Sequence, residues 1–194
     1  MKKIILASGS PRRRELLSQI NIDYEVVKSD VEENVPFDTP ACDVPLLLSK
    51  QKAEDVLLKC RDKDAIVIGA DTVVVFEGKI LGKPKDEADA YKMIKELSGK
   101  SHMVYTGVTL SYYVNQKMES ESFTECTKVS VAELSDEEIS EYIKTKEPYD
   151  KAGSYGIQGI FAKYITGIEG DYYNVVGLPL AKLYKILKIK LKTV

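Results

Sequence analysis

Tryptophan is absent from the 194 residues, histidine occurs once and cysteine three times. The single histidine, His102, excludes any metal centre that needs several imidazoles and leaves a serine–histidine mechanism without support. Cys42, Cys60 and Cys126 are widely spaced and fit neither a disulfide framework nor a zinc site. Charge of one sign is lacking too. A net charge of −2 gives no general pull toward nucleic acid or anionic membrane, so any phosphate affinity must be local. No apolar run approaches membrane-span length, and Met1-Lys2-Lys3 leads into a strand pattern rather than the long apolar segment of a signal peptide. The expectation is a cytoplasmic protein with neither a nucleic-acid nor a membrane partner. Any metal should be a hard cation held by carboxylate and phosphate oxygens. No repeat, low-complexity tract or linker divides the chain, and its 44% apolar content supports a sizeable core. Residues 1–194 therefore read as one domain, or two closely joined lobes.

What is present begins at once. Lys3 to Ala7 is an apolar run of strand length, Ser8-Gly9-Ser10 breaks it, and Pro11 to Ile20 reads as a helix with Leu16, Leu17 and Ile20 on one face. Ser10 suits the N-cap and Pro11 the first helical position. A strand, a small-residue turn and a helix N-terminus form an anion site, because backbone N–H groups and the helix dipole point at the turn. Arg12, Arg13 and Arg14 follow, although the dipole alone favours acids there. Arg13 also precedes Leu16 and Leu17 by three and four residues, so it should face inward. The cluster is either solvated charge or a phosphate site; the glycine patterns of a P-loop and of a dinucleotide fingerprint are both missing.

Tyr24 to Lys28 reads as a second strand, followed by the acidic loop Ser29 to Asn34. Asp43 is placed to cap a long helix reaching about Cys60, with an inward stripe through Val44, Leu47, Leu48, Val56, Leu57 and Cys60. Lys52 falls in that stripe and either snorkels to the surface or points at an anion. Ala65 to Phe76 reads as a buried central strand interrupted by Gly69-Ala70-Asp71-Thr72. A carboxylate there is costly to bury alone. Asp71 is satisfied by donors at a bulge, which Gly69 would suit, or it serves as a metal ligand or general base at the rim of a cleft.

Glu77-Gly78 turns the chain into Lys79-Ile80-Leu81, and a helix is expected over Asp86 to Leu97. Between them, Lys83 sits rigidly between Gly82 and Pro84, as plain surface charge or as a lysine reaching a phosphate. His102 to Val114 and Met118 to Leu134 read as two long strands joined at Asn115-Gln116, with Thr106-Gly107-Val108 marking a bulge or a close backbone approach. His102 is expected at the surface. Ser135 to Glu138 is a capping box opening a helix that ends before Pro148. Gly153, Gly156 and Gly159 would let the backbone approach a ligand, and Gln158 offers the donor and acceptor that a base edge needs. Pro179 opens a terminal amphipathic helix through Leu180, Leu183, Tyr184 and Leu187.

Leu6 to Arg13, Gly69 to Val74, Gly82-Lys83-Pro84, Glu147-Pro148, Asp150 to Gly159 and Gly170 to Leu180 together resemble the Maf family of nucleoside triphosphate pyrophosphatases, in order along essentially the whole chain. Ser49 stands where alanine is usual. The resemblance implies an α/β fold like that of inosine triphosphate pyrophosphatases: an elongated mixed β-sheet, flanking helices and a central cleft between two lobes. It also implies hydrolysis between the α and β phosphates. Arg12, Thr72 and Gln158 match the positions associated with dTTP and UTP, with CTP and modified pyrimidine nucleotides as further substrates. By the same resemblance, Asp71 would activate water as a base or ligate the metal that does, and Glu33 would help hold Mg²⁺ or Mn²⁺. Ser10, Arg13, Lys52 and Lys83 would bind the triphosphate. A homodimer follows from the resemblance alone. The rival reading is a nucleotide-binding regulator of septum formation acting through a protein partner.

Overall fold

The structure is a computed structural model that describes residues 2–60 and 62–193. Its strands are β1 (Ile4–Leu6), β2 (Glu25–Val26), β3 (Ile66–Phe76), β4 (Lys79–Leu81), β5 (Ser101–Val114), β6 (Lys117–Val131) and β7 (Ile165–Glu169). Its α-helices are α1 (Pro11–Gln19), α2 (Val44–Lys59), α3 (Glu87–Leu97), α4 (Asp136–Lys144), α5 (Tyr172–Val176) and α6 (Leu180–Thr193). Three short 3-10 turns cover Glu147–Asp150, Ala152–Ser154 and Ile160–Tyr164. Among the described residues the strands form one mixed sheet in the order β2-β1-β3-β5-β6-β7, with β4 also paired to β3. β1 runs parallel to β2 and β3, whereas β3–β4 and β6–β7 are antiparallel. This is the mixed α/β architecture expected.

The chain divides into two compact units. The first contains residues 1–71, 106–125 and 177–194. Its core sets Ile5, Ala7 and Val67 of the β1–β3 region against Ala53, Val56 and Leu57 of α2. Two glycines set the closeness of that helix. A Cβ on Gly69 would lie 2.1 Å from the Ser49 carbonyl oxygen, and one on Gly107 would lie 2.3 Å from the Pro45 carbonyl carbon and oxygen. Gly69 therefore clears a path for α2, a task the sequence left to a bulge, and Gly107 is the close backbone approach. Ser49 is fully buried, with its hydroxyl 2.8 Å from both the Leu46 carbonyl oxygen and Thr109 Oγ1.

The second unit contains residues 72–105 and 126–176. Ala90, Ile94 and Leu97 of α3 and Ile139, Tyr142 and Ile143 of α4 are buried with Phe161. The Phe161 ring lies 4.9 Å from Tyr142, 5.0 Å from Tyr155 and 5.4 Å from Tyr164 between centroids, in tilted or edge-on pairs. The expected capping box of α4 forms: Ser135 Oγ accepts from Glu138 N at 3.2 Å, and the Glu138 carboxylate accepts from Ser135 N at 2.8 Å. Leu134 and Ile139, which flank it, are both buried.

Several expectations change. His102 is buried, 2% exposed, because β5 begins one residue before it and turns its ring toward Tyr155. The second strand contracts to Glu25–Val26. Ser10 and Asp43 do sit at the N-caps of α1 and α2, yet neither side chain makes a capping hydrogen bond. At α1 the Ser8 hydroxyl accepts from Ser10 N instead, at 3.2 Å.

Candidate active site

The first turn of α1 aims Arg13 back along the chain, as its place ahead of Leu16 and Leu17 requires. Arg13 Nε donates to the Gly177 carbonyl at 2.8 Å and Nη1 to Ser8 Oγ at 3.3 Å. The guanidinium is thus fixed between the β1–α1 turn and the segment just before α6. Burial draws its pKa below the ordinary arginine value, while the charges of Asp71 and Glu33 oppose that shift. It remains a cation, since arginine does not deprotonate in proteins.

Along β3, alternation sends Val67, Gly69 and Asp71 to the face covered by α2. α2 presents Lys52 to that face. Lys52 Nζ lies 2.6 Å from Asp71 Oδ1 and 2.8 Å from Glu33 Oε1. The Lys52 and Asp71 side chains are mostly buried, at 17% and 16% exposure, whereas Glu33 is half exposed. The two alternatives for Lys52 resolve as a lysine pointing at an anion, and the anions are protein carboxylates. Asp71 has its partner in Lys52, which removes the cost of an isolated buried carboxylate.

Glu33 sits on the loop between β2 and α2, and that loop is tied to α2 on both sides of Glu33. Asp55 Oδ2 accepts from Ser29 Oγ at 2.7 Å and from Asp30 N at 3.2 Å. Gln51 accepts from Asn34 N at 3.1 Å and donates to Asn34 O at 2.6 Å. Sequence reading passed over Ser8, Gln51 and Asp55. The available signal for the last two was their spacing: Gln51, Asp55 and Lys59 recur every fourth residue and mark one polar stripe beside Lys52.

The first unit thus brings together Glu33, Lys52 and Asp71, with Arg13 close enough to feel both acids; Ser10 and half-buried Arg12 stand at the start of α1. Thr72, Lys83 and Gln158 belong to the second unit. Thr72 is half-buried and, following Asp71 in the strand, turns to the opposite face of β3. Lys83 and Gln158 are exposed, and their loops are joined where Gly153 N donates to Gly82 O at 3.0 Å. The glycines of the second loop serve the protein's own side chains, where a ligand had been expected. A Cβ on Gly159 would lie 2.1 Å from Glu147 Oε1, one on Gly156 2.7 Å from Lys151 Cε, and one on Gly153 2.9 Å from Val74 Cγ1. Gly153 also has a φ of 67°, which favours glycine.

Glu33 and Asp71 supply hard oxygen donors, and each carboxylate has a second oxygen besides the one paired with Lys52. Among the described residues no cluster of three or more histidine, cysteine, aspartate or glutamate side chains could hold a metal. The donor set therefore fits Mg²⁺ or Mn²⁺ of the kind bound through one or two carboxylates and completed by ligand phosphates and water, and does not fit an all-protein cage.

Fold and site together define an α/β protein with a compact group of cations and carboxylates gathered from α1, α2, β3 and the loop after β2. Comparison then gives the family: the chain belongs to the Maf family, whose model, described as Maf-like protein, matches residues 3–189. It is 52% identical over 188 residues to the dTTP/UTP pyrophosphatase of Bacillus cytotoxicus, covering 97% of this chain and 95% of that one. It is 53% identical over 186 residues to the protein of that name from Carboxydothermus hydrogenoformans, covering 96% and 97%. Against that from a Thermoanaerobacter species it is 54% identical over 186 residues, covering 96% and 95%. The solved Staphylococcus aureus Ham1 protein aligns with 68% of this chain and 72% of its own, at 18% identity and a TM-score of 0.49, a level that decides nothing about the site. Among the described residues no helix is long and apolar enough to cross a membrane.

Proposed function

We propose that the protein hydrolyses dTTP and UTP to the monophosphate and pyrophosphate with the help of a divalent cation. The observation that carries this reading is the pairing of Lys52 with both Asp71 and Glu33 beside half-buried Arg13. The dTTP/UTP pyrophosphatase activity for which relatives about half identical over nearly the whole chain are named supports the choice of reaction and base.

In this reading water attacks the α-phosphorus, the bond from that phosphorus to the oxygen bridging to the β-phosphate breaks, and pyrophosphate departs with the electron pair. The water proton passes to Asp71 or, where Asp71 ligates the cation, to solvent. Arg12, Arg13, Lys52 and Lys83 supply positive charge to the phosphate oxygens, and Ser10 adds a hydroxyl donor at the α1 turn. This is the stabilisation that phosphoryl transfer calls for, and it needs no covalent nucleophile. Glu33 and Asp71 are the residues that would hold Mg²⁺ or Mn²⁺. When bound, that ion would neutralise phosphate charge and lower the pKa of a water. Thr72 and Gln158 are assigned to the base, Gln158 through its amide donor and acceptor.

The test is turnover of a panel containing dTTP, UTP, CTP and purine triphosphates with Mg²⁺ or Mn²⁺, detecting pyrophosphate and orthophosphate separately. Pyrophosphate released fastest from dTTP and UTP is the expected result. Orthophosphate as the first product would overturn the assigned bond. Tight binding without turnover would favour a nucleotide-dependent regulator.

A further inference from the structure

The loop carrying Glu33 is longer than the gap it crosses. From Ser29 to Asn34 the chain could reach about 17 Å if extended. Its anchors, Gln51 and Asp55, are one helical turn apart, about 6 Å along α2. The segment must arch, and an arch held only by its own backbone would leave Glu33 free to wander. Both feet are pinned by α2 side chains. Asp55, 15% exposed, takes Ser29 Oγ and Asp30 N on one carboxylate oxygen, and Lys59 reaches that carboxylate at 2.8 Å. Ser29 Oγ in turn accepts from Val31 N at 3.2 Å. At the other foot the Gln51 carboxamide binds both the N–H and the C=O of Asn34, as a neighbouring strand would. The amide does both, whereas a carboxylate in its place could only accept. Lys52 follows Gln51 on the same helix, so pinning the arch to α2 also fixes Glu33 against Lys52 and, through it, Asp71.

We infer that Gln51 and Asp55 are positioning residues that pin the Ser29–Asn34 arch to α2 and thereby set how well Glu33 and Asp71 together receive a divalent cation. The inference deepens the proposed reaction and rests on that reading for its catalytic consequence. Neither residue is assigned to the substrate. Each acts by holding a carboxylate that would otherwise have to be ordered when the cation binds. Residues that orient metal-binding groups in this way change metal affinity by about 10- to 100-fold when lost.

The experiment uses the full chain with Mn²⁺ alone as probe. Mn²⁺ binding is followed by electron paramagnetic resonance, and exchange of the Asn34 amide is measured on the same samples. Gln51→Ala should expose the Asn34 amide to exchange and weaken Mn²⁺ binding by about tenfold. Asp55→Ala should weaken it similarly, while Asp55→Asn, which keeps an acceptor for Ser29 and Asp30, should recover most of the affinity. Gln51→Glu keeps only the acceptor and sets a carboxylate against the Asn34 carbonyl, so it should resemble Gln51→Ala; it stands in for that variant if the alanine form does not fold. In turnover the loss should appear mainly as a higher Mn²⁺ requirement, largely recovered at saturating Mn²⁺. Equal Mn²⁺ affinity in wild type and Gln51→Ala, unchanged Asn34 exchange, or no Mn²⁺ binding by the wild type would each overturn the inference. Wild type that binds Mn²⁺ with the expected variant contrast but releases no pyrophosphate would overturn the proposed reaction alone.

Discussion

Gly69 lies directly beneath Ser49, so close that a Cβ on the strand residue would stand 2.1 Å from the helix carbonyl oxygen. Lys52 comes three residues after Ser49 on α2, and Asp71 two residues after Gly69 on the same face of β3. This close approach therefore sets the 2.6 Å pairing of Lys52 with Asp71. Since the obstructing atoms are backbone, Gly69→Ala should push the helix away. Overpacking of this kind costs about 3 kcal/mol. The melting temperature should fall by roughly 6–12 °C on calorimetry, with turnover reduced at temperatures where the variant is still folded. A variant as stable and active as wild type would mean that α2 does not depend on this contact.

Asp71→Asn keeps the size of the side chain and removes its charge. Turnover should drop by about 10²- to 10⁴-fold, the usual contribution of a general base. Triphosphate binding, measured calorimetrically, should stay within a few fold. Unchanged turnover would remove Asp71 from the reaction. Lys52→Met should act differently, because it takes a cation from the phosphate site and leaves Asp71 and Glu33 facing each other. Its main effect should be a KM for triphosphate raised by about tenfold or more, on the scale of one lost charge-assisted hydrogen bond.

His102 gives the stability a distinct pH dependence. Its Nε2 lies 2.6 Å from the Tyr155 hydroxyl, and its buried Nδ1 has no hydrogen-bond partner among the described residues. Burial lowers its pKa from 6.5 to about 4. The unfolded chain then takes up a proton that the folded one refuses, so stability is full above pH 6.5 and falls as pH drops toward 4. Between pH 7 and 5 wild type should lose about 2 kcal/mol of unfolding free energy through this group. Urea titrations of wild type and His102→Gln should diverge in slope over that window. Parallel curves would show that His102 is protonated as readily in the folded protein as in the unfolded one.

Glu147 explains Gly159. Its Oε2 accepts from Ile160 N at 2.8 Å and its Oε1 from Tyr142 OH at 3.3 Å, and burial together with this neighbouring charge pushes the Tyr142 hydroxyl pKa upward. Gly159→Ala would displace the carboxylate and cost about 1–2 kcal/mol in lost hydrogen bonds. Glu147→Ala loses the same bonds by another route. The double variant should therefore be destabilised by clearly less than the sum of the two, a coupling readable in urea melts. Strict additivity would separate the two residues.

The buried strand at Ala65 to Phe76, the stripe of α2, the strand–turn–helix at Ser8 to Arg13 and the capping box at Ser135 were legible in the chain alone, because each rests on a pattern within a few residues. The sequence also placed Arg13 inward and singled out Asp71 and Lys52, since a charge inside an apolar pattern is conspicuous wherever it occurs. It took the folded packing to show that Lys52 spans Asp71 and Glu33, that Gly69 and Gly107 are clearances for α2, that His102 is buried, and that Gln51 and Asp55 hydrogen-bond the loop bearing Glu33. Those facts join residues from 17 to 62 positions apart. A glutamine or aspartate on a helix surface looks the same in sequence whether it meets water or a returning loop. The packing that tells them apart exists only once the chain has folded.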